Sequence, residues 1–405
     1  MDIRITPQML KGKILVPPSK SISHRALIAA ALADGESKIY NLLDCVDITD
    51  ATIGALTALG AEIEQCDGYT RVKGIGKAPT EAYIDCHESG STLRFIMPIA
   101  AALGCRSSFD GTANLPNRPI TPYFDQFEKH GVKFLTTKMP YVTEGKLTGG
   151  VYEIAGNISS QFITGFLFAL SLLEEDSVIK ITSPLESKPY IDLTIDAMKA
   201  FGVTVEEGEN EYRIKGGQKY IPCDYTVEAD MSQAAFFCVA KALGAELDIQ
   251  GLNYNSLQGD REILRITDEF MKTGKAFDVN ASQIPDLVPV LTVLGCFAEG
   301  TSYIRGCERL RIKESDRLAV TSEELNKLGA NVRVENGDML VIEGMKMLKG
   351  GECDCHTDHR IPMSLAVASQ RCENAVVLRG AECVSKSYPT FFEDFRKLGG
   401  IADVI

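Results

Sequence analysis

Apolar and polar positions along the chain follow one plan that recurs six times. Polar residues lead into an unbroken apolar run, such as the one from Ala26 to Ala33, and a second, amphipathic segment follows and ends on glycine. β-branched runs such as Val203-Thr204-Val205 come next. An unbroken apolar run predicts a buried helix, and an amphipathic segment predicts a helix with one solvent-facing side. Each repeat therefore predicts a strand, an apolar helix, a strand, an amphipathic helix and a pair of strands.

The glycines that end the amphipathic segments measure the repeat. They are Gly60, Gly131, Gly202, Gly274, Gly329 and Gly399. The successive differences between these positions are 71, 71, 72, 55 and 70. This period exceeds that of the common solenoid repeats, which favours a closed architecture over an open stack. The short fourth interval predicts that strands are trimmed there.

The first apolar helix has an unusual entrance, Pro17-Pro18-Ser19-Lys20-Ser21-Ile22-Ser23-His24-Arg25. We expect Ser21 or Ser23 to cap the helix. A helix N-terminus carries a partial positive charge, so an ordinary first turn attracts acidic residues. Lys20 and Arg25 stand here instead, and the entrance therefore predicts an anion site.

The chain divides into two halves in this interpretation. Residues 1–16 predict a strand, a turn at Lys11-Gly12 and a second strand. Three repeats then extend to about residue 220, and three more extend to the end. Three repeats per half is the simplest way to bury six apolar helices, and the cleft between the halves is the expected ligand site.

Composition narrows the classes of partner. The 405 residues carry a formal net charge of −13, which argues against a general binder of nucleic acid or of anionic membranes. The N-terminal twenty residues have no signal-peptide pattern, and the run Phe162 to Leu173 is too short to span a bilayer. We therefore expect a cytoplasmic protein. The 12 cysteines, spread through the chain, are expected to be reduced thiols.

Basic residues nevertheless recur at or near the helix entrances and in the connecting segments. They are Lys20, Arg25, Arg94, Arg118, Lys313, Arg317, Arg360 and Lys386. Singly, each is an ordinary surface charge, but their recurrence in an acidic protein predicts a site for several phosphates or carboxylates. The segment from Gly156 to Gln161 is either a turn with a serine cap or a phosphate-binding loop.

Two carboxylates are candidates for acid and base catalysis. Asp286 lies at an apolar helix entrance, and Glu314 lies between Lys313 and Arg317. The alternative interpretations are a helix cap for Asp286 and a surface ion pair for Glu314. Cations lower the pKa of a carboxyl group and burial raises it, so the sequence leaves their protonation states open.

A possible metal cluster contains Cys353, Cys355, His356 and His359. The spacing matches no standard zinc pattern, and neighbouring residues of a strand point to opposite faces. We therefore expect no metal site.

Nine motifs in order along the chain resemble those of the EPSP synthase (3-phosphoshikimate 1-carboxyvinyltransferase) family of enolpyruvyl transferases. They are Pro18-Ser19-Lys20-Ser21 with His24-Arg25, Ser89-Gly90-Ser91-Thr92-Leu93-Arg94, Asn117-Arg118-Pro119-Ile120, Ser159-Ser160-Gln161, Ser187-Lys188-Pro189-Tyr190, Ile284-Pro285-Asp286, Lys313-Glu314-Ser315-Asp316-Arg317, Asp358-His359-Arg360 and Ser385-Lys386. The resemblance covers nearly the whole chain.

The resemblance implies an α/β fold of two similar domains, each an inside-out α/β barrel of three βαβαββ units. The first domain would comprise residues 20–227, and the second would comprise residues 1–19 and 228–405. The first would thus be inserted into the second, and the two would close over the cleft when substrate binds. A monomer without metal or cofactor is also implied.

The resemblance further implies two sets of substrate-binding residues. Shikimate 3-phosphate would contact Lys20, Ser21, Arg25, Ser159, Ser160, Gln161, Ser187, Asp286 and Lys313. Phosphoenolpyruvate would contact Lys20, Gly90, Arg118, Gln161, Arg317, Arg360 and Lys386. Asp286 would help to remove a proton from the 5-hydroxyl group of shikimate 3-phosphate, and Glu314, with Lys20, would protonate the methylene carbon of phosphoenolpyruvate. Phosphate would then leave the tetrahedral intermediate.

The chain departs from the family pattern at Glu88, Arg309 and Phe95, so the contacts of the first two positions are not carried over. A small residue at Gly90 implies inhibition by glyphosate. The related UDP-N-acetylglucosamine enolpyruvyl transferases have a reactive cysteine where this chain has Ala113, and Cys105 lies eight residues upstream. A non-catalytic clamp around nucleic acid is the other alternative, and the net charge argues against it.

Overall fold

The computed structural model describes residues 1 to 405, and the chain forms two compact units. We call Pro18–Glu228 the inserted unit, and Met1–Pro17 together with Ala229–Ile405 the split unit. Each unit has its own extensive hydrophobic core. No helix has both the length and the apolar character needed to cross a membrane.

Twelve α-helices are numbered in chain order. They are α1 Lys20–Leu32, α2 Ile53–Ala58, α3 Gly90–Ala102, α4 Thr121–Lys129, α5 Ser160–Leu170, α6 Lys188–Ala200, α7 Met231–Ala242, α8 Glu262–Thr273, α9 Val288–Gly295, α10 Arg317–Lys327, α11 Arg360–Ala368 and α12 Phe391–Lys397. A π-helical segment, Asp47–Thr52, precedes α2. Short 3₁₀ helices include Pro285–Leu287, before α9, and Glu308–Ile312, before α10.

Twenty-two strands are numbered in the same way. They are β1 Ile3–Thr6, β2 Lys11–Leu15, β3 Glu36–Tyr40, β4 Glu62–Cys66, β5 Tyr69–Lys73, β6 Glu81–Asp85, β7 Arg106–Asp110, β8 Val132–Phe134, β9 Tyr141–Gly145, β10 Gly150–Ile154, β11 Ser177–Ile181, β12 Glu206–Gly208, β13 Glu211–Ile214, β14 Tyr225–Thr226, β15 Glu246–Gln250, β16 Asp278–Asn280, β17 Thr301–Arg305, β18 Asn331–Glu335, β19 Met339–Glu343, β20 Gly351–Asp354, β21 Val376–Arg379 and β22 Ile401–Val404.

The three sheets of the inserted unit share one strand topology. Their strand orders are β14-β3-β5-β4, β6-β7-β9-β8 and β10-β11-β13-β12. In each sheet the first pair is parallel and the other two pairs are antiparallel. A parallel pair needs a crossover, which α3 and α5 supply in the second and third sheets. The predicted βαβαββ repeat is therefore confirmed.

The split unit has the same strand topology in two of its sheets, β16-β17-β19-β18 and β20-β21-β1-β22. The N-terminal strand β1 completes the second of these sheets. The third sheet of the split unit has only the parallel pair β15-β2. After α8 the chain passes directly to β16, without the hairpin that follows α2, α4 or α6. The missing hairpin explains the short interval between Gly274 and Gly329, so the prediction of trimmed strands is confirmed.

The apolar helices lie inside the units. Every residue from Ile22 to Ala31 of α1 is buried, and α3, α5, α7, α9 and α11 are also almost wholly buried. A helix that is buried on all sides needs no polar stripe. Strands such as β1 alternate buried and exposed residues, so one face of the sheet meets solvent. Pro98 lies within α3, which continues to Ala102.

Two local predictions were wrong. Ser19, rather than Ser21 or Ser23, caps α1, and its hydroxyl accepts a hydrogen bond from the amide of Ile22 at 3.4 Å. Lys11-Gly12 does not form a turn, because both residues belong to β2 and pair with β15. All 12 cysteines are free thiols, as expected.

Candidate active site

The first candidate cluster surrounds the start of α1 in the inserted unit. The ammonium of Lys20 lies 2.9 Å from an Asp47 carboxylate oxygen. One turn later, Nδ1 of the buried His24 lies 2.7 Å from the Thr52 hydroxyl. Burial, followed by the charges of Lys20 and Arg25, lowers the pKa of His24 well below its usual range. His24 is therefore neutral near pH 7 and adds no charge to this cationic entrance.

Arg25 is buried and bonded only to uncharged oxygens. It donates to the Thr194 hydroxyl at 2.9 Å and to the backbone oxygens of Ser21 and Tyr190 at 2.7 and 2.8 Å. Its guanidinium also lies 5.3 Å from the ring centre of Phe95. Burial lowers the pKa of Arg25 to about 10. Arg25 remains a cation at neutral pH, and its charge is available to an anionic ligand.

Gly90, the first residue of α3, lies directly against Arg118. A Cβ atom built on Gly90 would lie 2.5 Å from Nη1 and 2.7 Å from Cζ of Arg118. Arg118 is largely buried. A side chain at position 90 would therefore require the Arg118 guanidinium to shift from this position.

Gln161, at the start of α5, is fixed by α3. Arg94 of α3 donates to the Gln161 amide oxygen at 2.6 Å and to the backbone oxygen of Pro119 at 2.9 Å. The Gln161 amide nitrogen donates to the Ser91 hydroxyl at 2.9 Å. Both ends of the Gln161 amide are thus oriented by neighbouring side chains.

Three serines of the sequence prediction lie at the starts of α5 and α6. Ser159 caps α5 and accepts from the amide of Gln161 at 3.3 Å, while Ser160 is its first residue. Ser187 precedes α6, is buried, and has a left-handed backbone with φ 55°. A serine in that conformation requires support from its surroundings.

The second candidate cluster lies in the split unit around Asp286. One Asp286 carboxylate oxygen lies 2.9 Å from Nη1 of Arg317 and 3.6 Å from the ammonium of Lys313. The other oxygen lies 2.9 Å from Nη2 of Arg360. Three cations therefore surround one carboxylate, which lies just before α9.

These charges determine the protonation states of the cluster. Burial would raise the pKa of Asp286, but Arg360, Lys313 and Arg317 outweigh it and hold that pKa well below its usual range. Burial also lowers the pKa of Lys313, and Asp286 opposes the shift only in part. Asp286 is therefore a carboxylate at neutral pH.

Arg317 joins the cluster together. It donates to Asp286, to Glu314 Oε2 at 2.6 Å, and to both oxygens of Asp358 at 2.7 and 3.2 Å. Burial would lower the pKa of Arg317, but these three carboxylates outweigh it and raise that pKa above its usual value. Asp286 and Glu314 are thus bound to the same guanidinium.

The segment around Asp358 positions two further cations of the sequence prediction. The Asp358 carboxylate accepts from the backbone amide of Arg360 at 3.0 Å and from the Ser315 hydroxyl at 3.0 Å. The ammonium of Lys386 donates to the backbone oxygen of Thr357 at 2.8 Å.

The four candidate metal ligands between residues 353 and 359 do not come together. Only His356 belongs to a group of convergent ligand atoms, and its companions are Glu323 and Glu324, with all three ligand atoms within 4.8 Å of one another. The ammonium of Lys327 lies 3.1 and 2.8 Å from these two carboxylates. The ammonium of Lys327 therefore already offsets part of the negative charge of the two carboxylates.

Sequence reasoning missed the side chains that hold the candidate residues in place. Asp47, on Lys20, and Thr194, on Arg25, are absent from the sequence prediction, whereas Arg94, on Gln161, is predicted only as an anion-binding cation and Asp358, on Arg317, only as part of a motif. The motif Asp358-His359-Arg360 is part of the sequence prediction, which gives a role to Arg360 alone. Three consecutive titratable residues at a predicted site are the signal in the sequence that points to Asp358.

Comparison with known proteins identifies the family. The family model of EPSP synthase (3-phosphoshikimate 1-carboxyvinyltransferase) matches residues 5–395. The 3-phosphoshikimate 1-carboxyvinyltransferase of Clostridium beijerinckii is 45% identical over 429 aligned residues, covering 99% of this chain and 98% of the relative. That of Clostridium perfringens, strain ATCC 13124, is 47% identical over 417 aligned residues, covering 98% of each.

The fold gives the same answer. An EPSP synthase structure from Acinetobacter baumannii matches with a TM-score of 0.82 at 26% identity, and the match covers 100% of both chains. The expected α/β fold of repeated units is confirmed by this similarity. The chain therefore belongs to the EPSP synthase family, and it is an enzyme of the 3-phosphoshikimate 1-carboxyvinyltransferase type.

Proposed function

We propose that the chain transfers the enolpyruvyl group of phosphoenolpyruvate to the 5-hydroxyl of shikimate 3-phosphate and releases phosphate, as a step of the shikimate pathway. The observation that carries the proposal is the bonding of Asp286 and Glu314 to the single guanidinium of Arg317. A reaction that removes a proton from one reactant and adds a proton to the other is well served by two such groups held close together.

The cationic groups of both units bind the two substrates in this proposal. Shikimate 3-phosphate contacts Lys20, Ser21, Arg25, Ser159, Ser160, Gln161, Ser187, Asp286 and Lys313. Phosphoenolpyruvate contacts Lys20, Gly90, Arg118, Gln161, Arg317, Arg360 and Lys386. The uncompensated charge of Arg25 and the fixed amide of Gln161 support these assignments, because phosphate and carboxylate are bound best by prepositioned cations and donors.

The chemistry begins with attack of the 5-hydroxyl oxygen on C2 of phosphoenolpyruvate. Asp286 takes the hydroxyl proton, and Glu314, which enters this stage in its protonated form, supplies its proton with the help of Lys20 to the methylene carbon, which becomes a methyl group and leaves Glu314 as a carboxylate. In the second stage Glu314 takes a proton back from the methyl group, the bond between C2 and the phosphate oxygen breaks, and phosphate leaves with a proton from Asp286. Atoms and charges balance over the two stages.

The surroundings of Asp286 fit its part in this scheme. Because its pKa is held low, Asp286 is ionised when substrate arrives and is able to accept a hydrogen bond from the hydroxyl group. The same three cations stabilise the negative charge that develops on the attacking oxygen and on the phosphate. The proposal needs no metal or cofactor, and it describes a cytoplasmic monomer.

Glyphosate is proposed to inhibit in competition with phosphoenolpyruvate. The support is the contact between Gly90 and Arg118, since a side chain at position 90 would collide with the guanidinium that is proposed to bind phosphoenolpyruvate. Phe95, which differs from the residue that is common in the family, lies in the same helix, α3, five residues after Gly90.

Phosphate release tests the proposal. The wild type is incubated with phosphoenolpyruvate and either shikimate 3-phosphate or UDP-N-acetylglucosamine, and the same assay is run on Asp286→Asn and Glu314→Gln. We expect phosphate release when shikimate 3-phosphate is the acceptor and none when UDP-N-acetylglucosamine is the acceptor. In each variant the rate of release should be lower by about 10²- to 10⁴-fold. Glu308→Gln, an exposed carboxylate of the preceding short helix, is the matched control and should keep full activity.

The other outcomes are equally informative. Release with only the nucleotide sugar would assign the chain to the neighbouring transferase reaction. Full activity in Glu314→Gln would remove Glu314 from the mechanism, and no release with either acceptor would contradict the proposed function.

A further inference from the structure

Helix α10 contacts the segment before α11 at two separate places. Arg317, at the start of α10, bonds the Asp358 carboxylate. Glu324 lies seven residues further along the same helix, which is two turns and therefore the same face. Glu324 contacts the earlier part of the segment, at Asp354 and His356.

The Glu324 carboxylate is completely buried and fully engaged. One oxygen lies 2.7 Å from Nε2 of His356 and 2.8 Å from the ammonium of Lys327. The other accepts from the backbone amide of Asp354 at 3.0 Å. A buried carboxylate is stable only with such donors, so this geometry is strongly specified. Glu324 also accepts at its backbone oxygen from the Cys353 thiol, at 3.5 Å.

The backbone between the two contacts is strained. His356 and Thr357 have φ angles of 51° and 54°, so two consecutive residues with side chains adopt the left-handed conformation. This conformation is costly for a β-branched residue such as Thr357, and it persists only when neighbouring groups impose it. Glu324 holds the segment on one side of these residues, and Arg317 holds it on the other.

The strained residues determine where two active-site cations lie. The backbone oxygen of Thr357 accepts the ammonium of Lys386 at 2.8 Å. Immediately after it, the Asp358 carboxylate binds the backbone amide of Arg360, whose guanidinium reaches Asp286. A change in the backbone at 356–357 would therefore displace Lys386 and Arg360 together.

We propose that Glu324 is a positioning residue which, through His356 and the amide of Asp354, holds the strained turn and thereby places Lys386 and Arg360 on phosphoenolpyruvate. The inference rests on the proposed function, because those two cations are assigned to that substrate there. No role in catalysis or binding follows for Glu324 itself, which contacts neither substrate.

Steady-state kinetics of Glu324→Gln provide the first test. The variant keeps the size of the side chain but removes the charge that His356 and Lys327 share. We expect the KM for phosphoenolpyruvate to rise roughly tenfold, the effect of a lost hydrogen bond to a charged group, while the KM for shikimate 3-phosphate stays within about twofold. A general loss of structure would instead affect both substrates.

Glu323→Gln is the matched control. Glu323 is the preceding residue of α10, also pairs with Lys327, and is exposed. The substitution removes the same charge from Lys327, and Glu323 makes no hydrogen bond to the strained turn, so both KM values should remain those of the wild type. His356→Ala should reproduce the selective change of Glu324→Gln, and it carries the test if Glu324→Gln does not fold.

Amide hydrogen exchange without substrate provides a second readout that does not depend on activity. We expect the amides of residues 354–358 to exchange at least tenfold faster in Glu324→Gln than in the wild type or Glu323→Gln. Unchanged exchange would overturn the proposal even if the enzyme is fully active. Faster exchange with an unchanged KM for phosphoenolpyruvate, or an equal rise in both KM values, would also overturn it. A wild type without transferase activity would contradict the proposed function, while the exchange data would still decide whether Glu324 holds the turn.

Discussion

Two buried arginines, one in each unit, are held in opposite ways. Arg25 of the inserted unit donates to a hydroxyl group and two backbone carbonyls, all of them uncharged. Arg317 of the split unit donates to three carboxylates, those of Asp286, Glu314 and Asp358. Burial lowers the pKa of Arg25 to about 10, whereas the carboxylates outweigh burial and raise the pKa of Arg317.

Under the proposed function, this difference corresponds to two roles. Arg25, which is bonded to uncharged oxygens, would meet its first opposite charge in the phosphate of shikimate 3-phosphate. Arg317, which is bonded to three carboxylates, would contact phosphoenolpyruvate and also hold the proposed base Asp286 and the proposed acid Glu314 in fixed positions.

Replacing each arginine in turn should give the largest difference in the free energy of unfolding. In Arg317→Met, three carboxylates lose their common partner, one of them fully buried, so the free energy of unfolding should fall by about 3–5 kcal/mol. Arg25→Met removes a buried charge and leaves only neutral acceptors, so its loss should stay below about 2 kcal/mol. Urea unfolding followed by far-UV circular dichroism measures both. Equal losses would contradict the comparison.

Asp260 is a buried acid of the split unit that forms no ion pair with the cations around Asp286. It accepts from the Ser232 hydroxyl, and burial, followed by the charge of Asp286, raises its pKa to about 7. The folded state therefore keeps a proton that the unfolded state has lost, and this contribution to stability disappears as the pH rises from about 4 to 7.

Asp260→Asn cannot ionise, so it should avoid this loss. Its stability relative to the wild type should be higher at pH 8 than at pH 5, by about 2 kcal/mol. Asp230→Asn is unsuitable as a control, because Asp230 caps α7. Thermal unfolding at the two pH values is sufficient, and a difference that does not depend on pH would show that Asp260 does not titrate in this range.

Gly90→Ala tests the contact with Arg118 in the inserted unit. The added Cβ would lie 2.5 Å from the guanidinium, so Arg118 must move. We expect the KM for phosphoenolpyruvate to rise about tenfold, equivalent to about 1.4 kcal/mol. Gly54→Ala in α2 is the control, since its Cβ would meet no atom within 4 Å. An unchanged KM in Gly90→Ala would contradict the prediction that phosphoenolpyruvate binding depends on the position of Arg118 in this contact.

Acid should weaken the inserted unit before the split unit. His24 is neutral when folded, but in the unfolded chain it gains a proton below about pH 6.5, so stability falls as the pH decreases through that value. Asp286 behaves differently, because its pKa is held low and its contribution is lost only below about pH 4.

His24→Gln should remove the loss that begins near pH 6.5. Between pH 6.5 and 5.5, the free energy of unfolding of the wild type should fall by about 1 kcal/mol relative to that of His24→Gln. His87→Gln, at a more exposed histidine, should retain the wild-type dependence. The prediction is wrong if His24→Gln and the wild type have the same pH profile of unfolding.

The sequence predicted much of the fold because the repeat is local. Apolar runs, polar entrances and terminal glycines such as Gly60 and Gly131 are each contained within a few residues, and the missing hairpin appeared as the short interval after Gly274. The choice of Ser19 over Ser21 as the cap of α1 could not be predicted, because three serines in one short run satisfy the same rule and only the backbone decides.

The supporting contacts of the candidate site could not be predicted from the sequence, for a different reason. Lys20 and Asp47 lie 27 positions apart, and Arg317 and Asp358 lie 41 positions apart, so no local pattern joins them. The motifs identified the residues that carry charge, but the fold determines which charges are balanced. The contrast between Arg25 and Arg317 is therefore a property of the structure alone.

The most direct test of the proposed roles of Arg25 in binding and Glu314 in proton transfer is to measure KM and kcat separately in two variants, each assayed with both substrates. Arg25→Gln should raise the KM for shikimate 3-phosphate by roughly tenfold or more with a smaller change in kcat. Glu314→Gln should lower kcat by at least about 10²-fold with KM values near those of the wild type. If Arg25→Gln instead lowers kcat alone, or Glu314→Gln changes only a KM, the assignment of anion binding to Arg25 and of proton transfer to Glu314 is wrong.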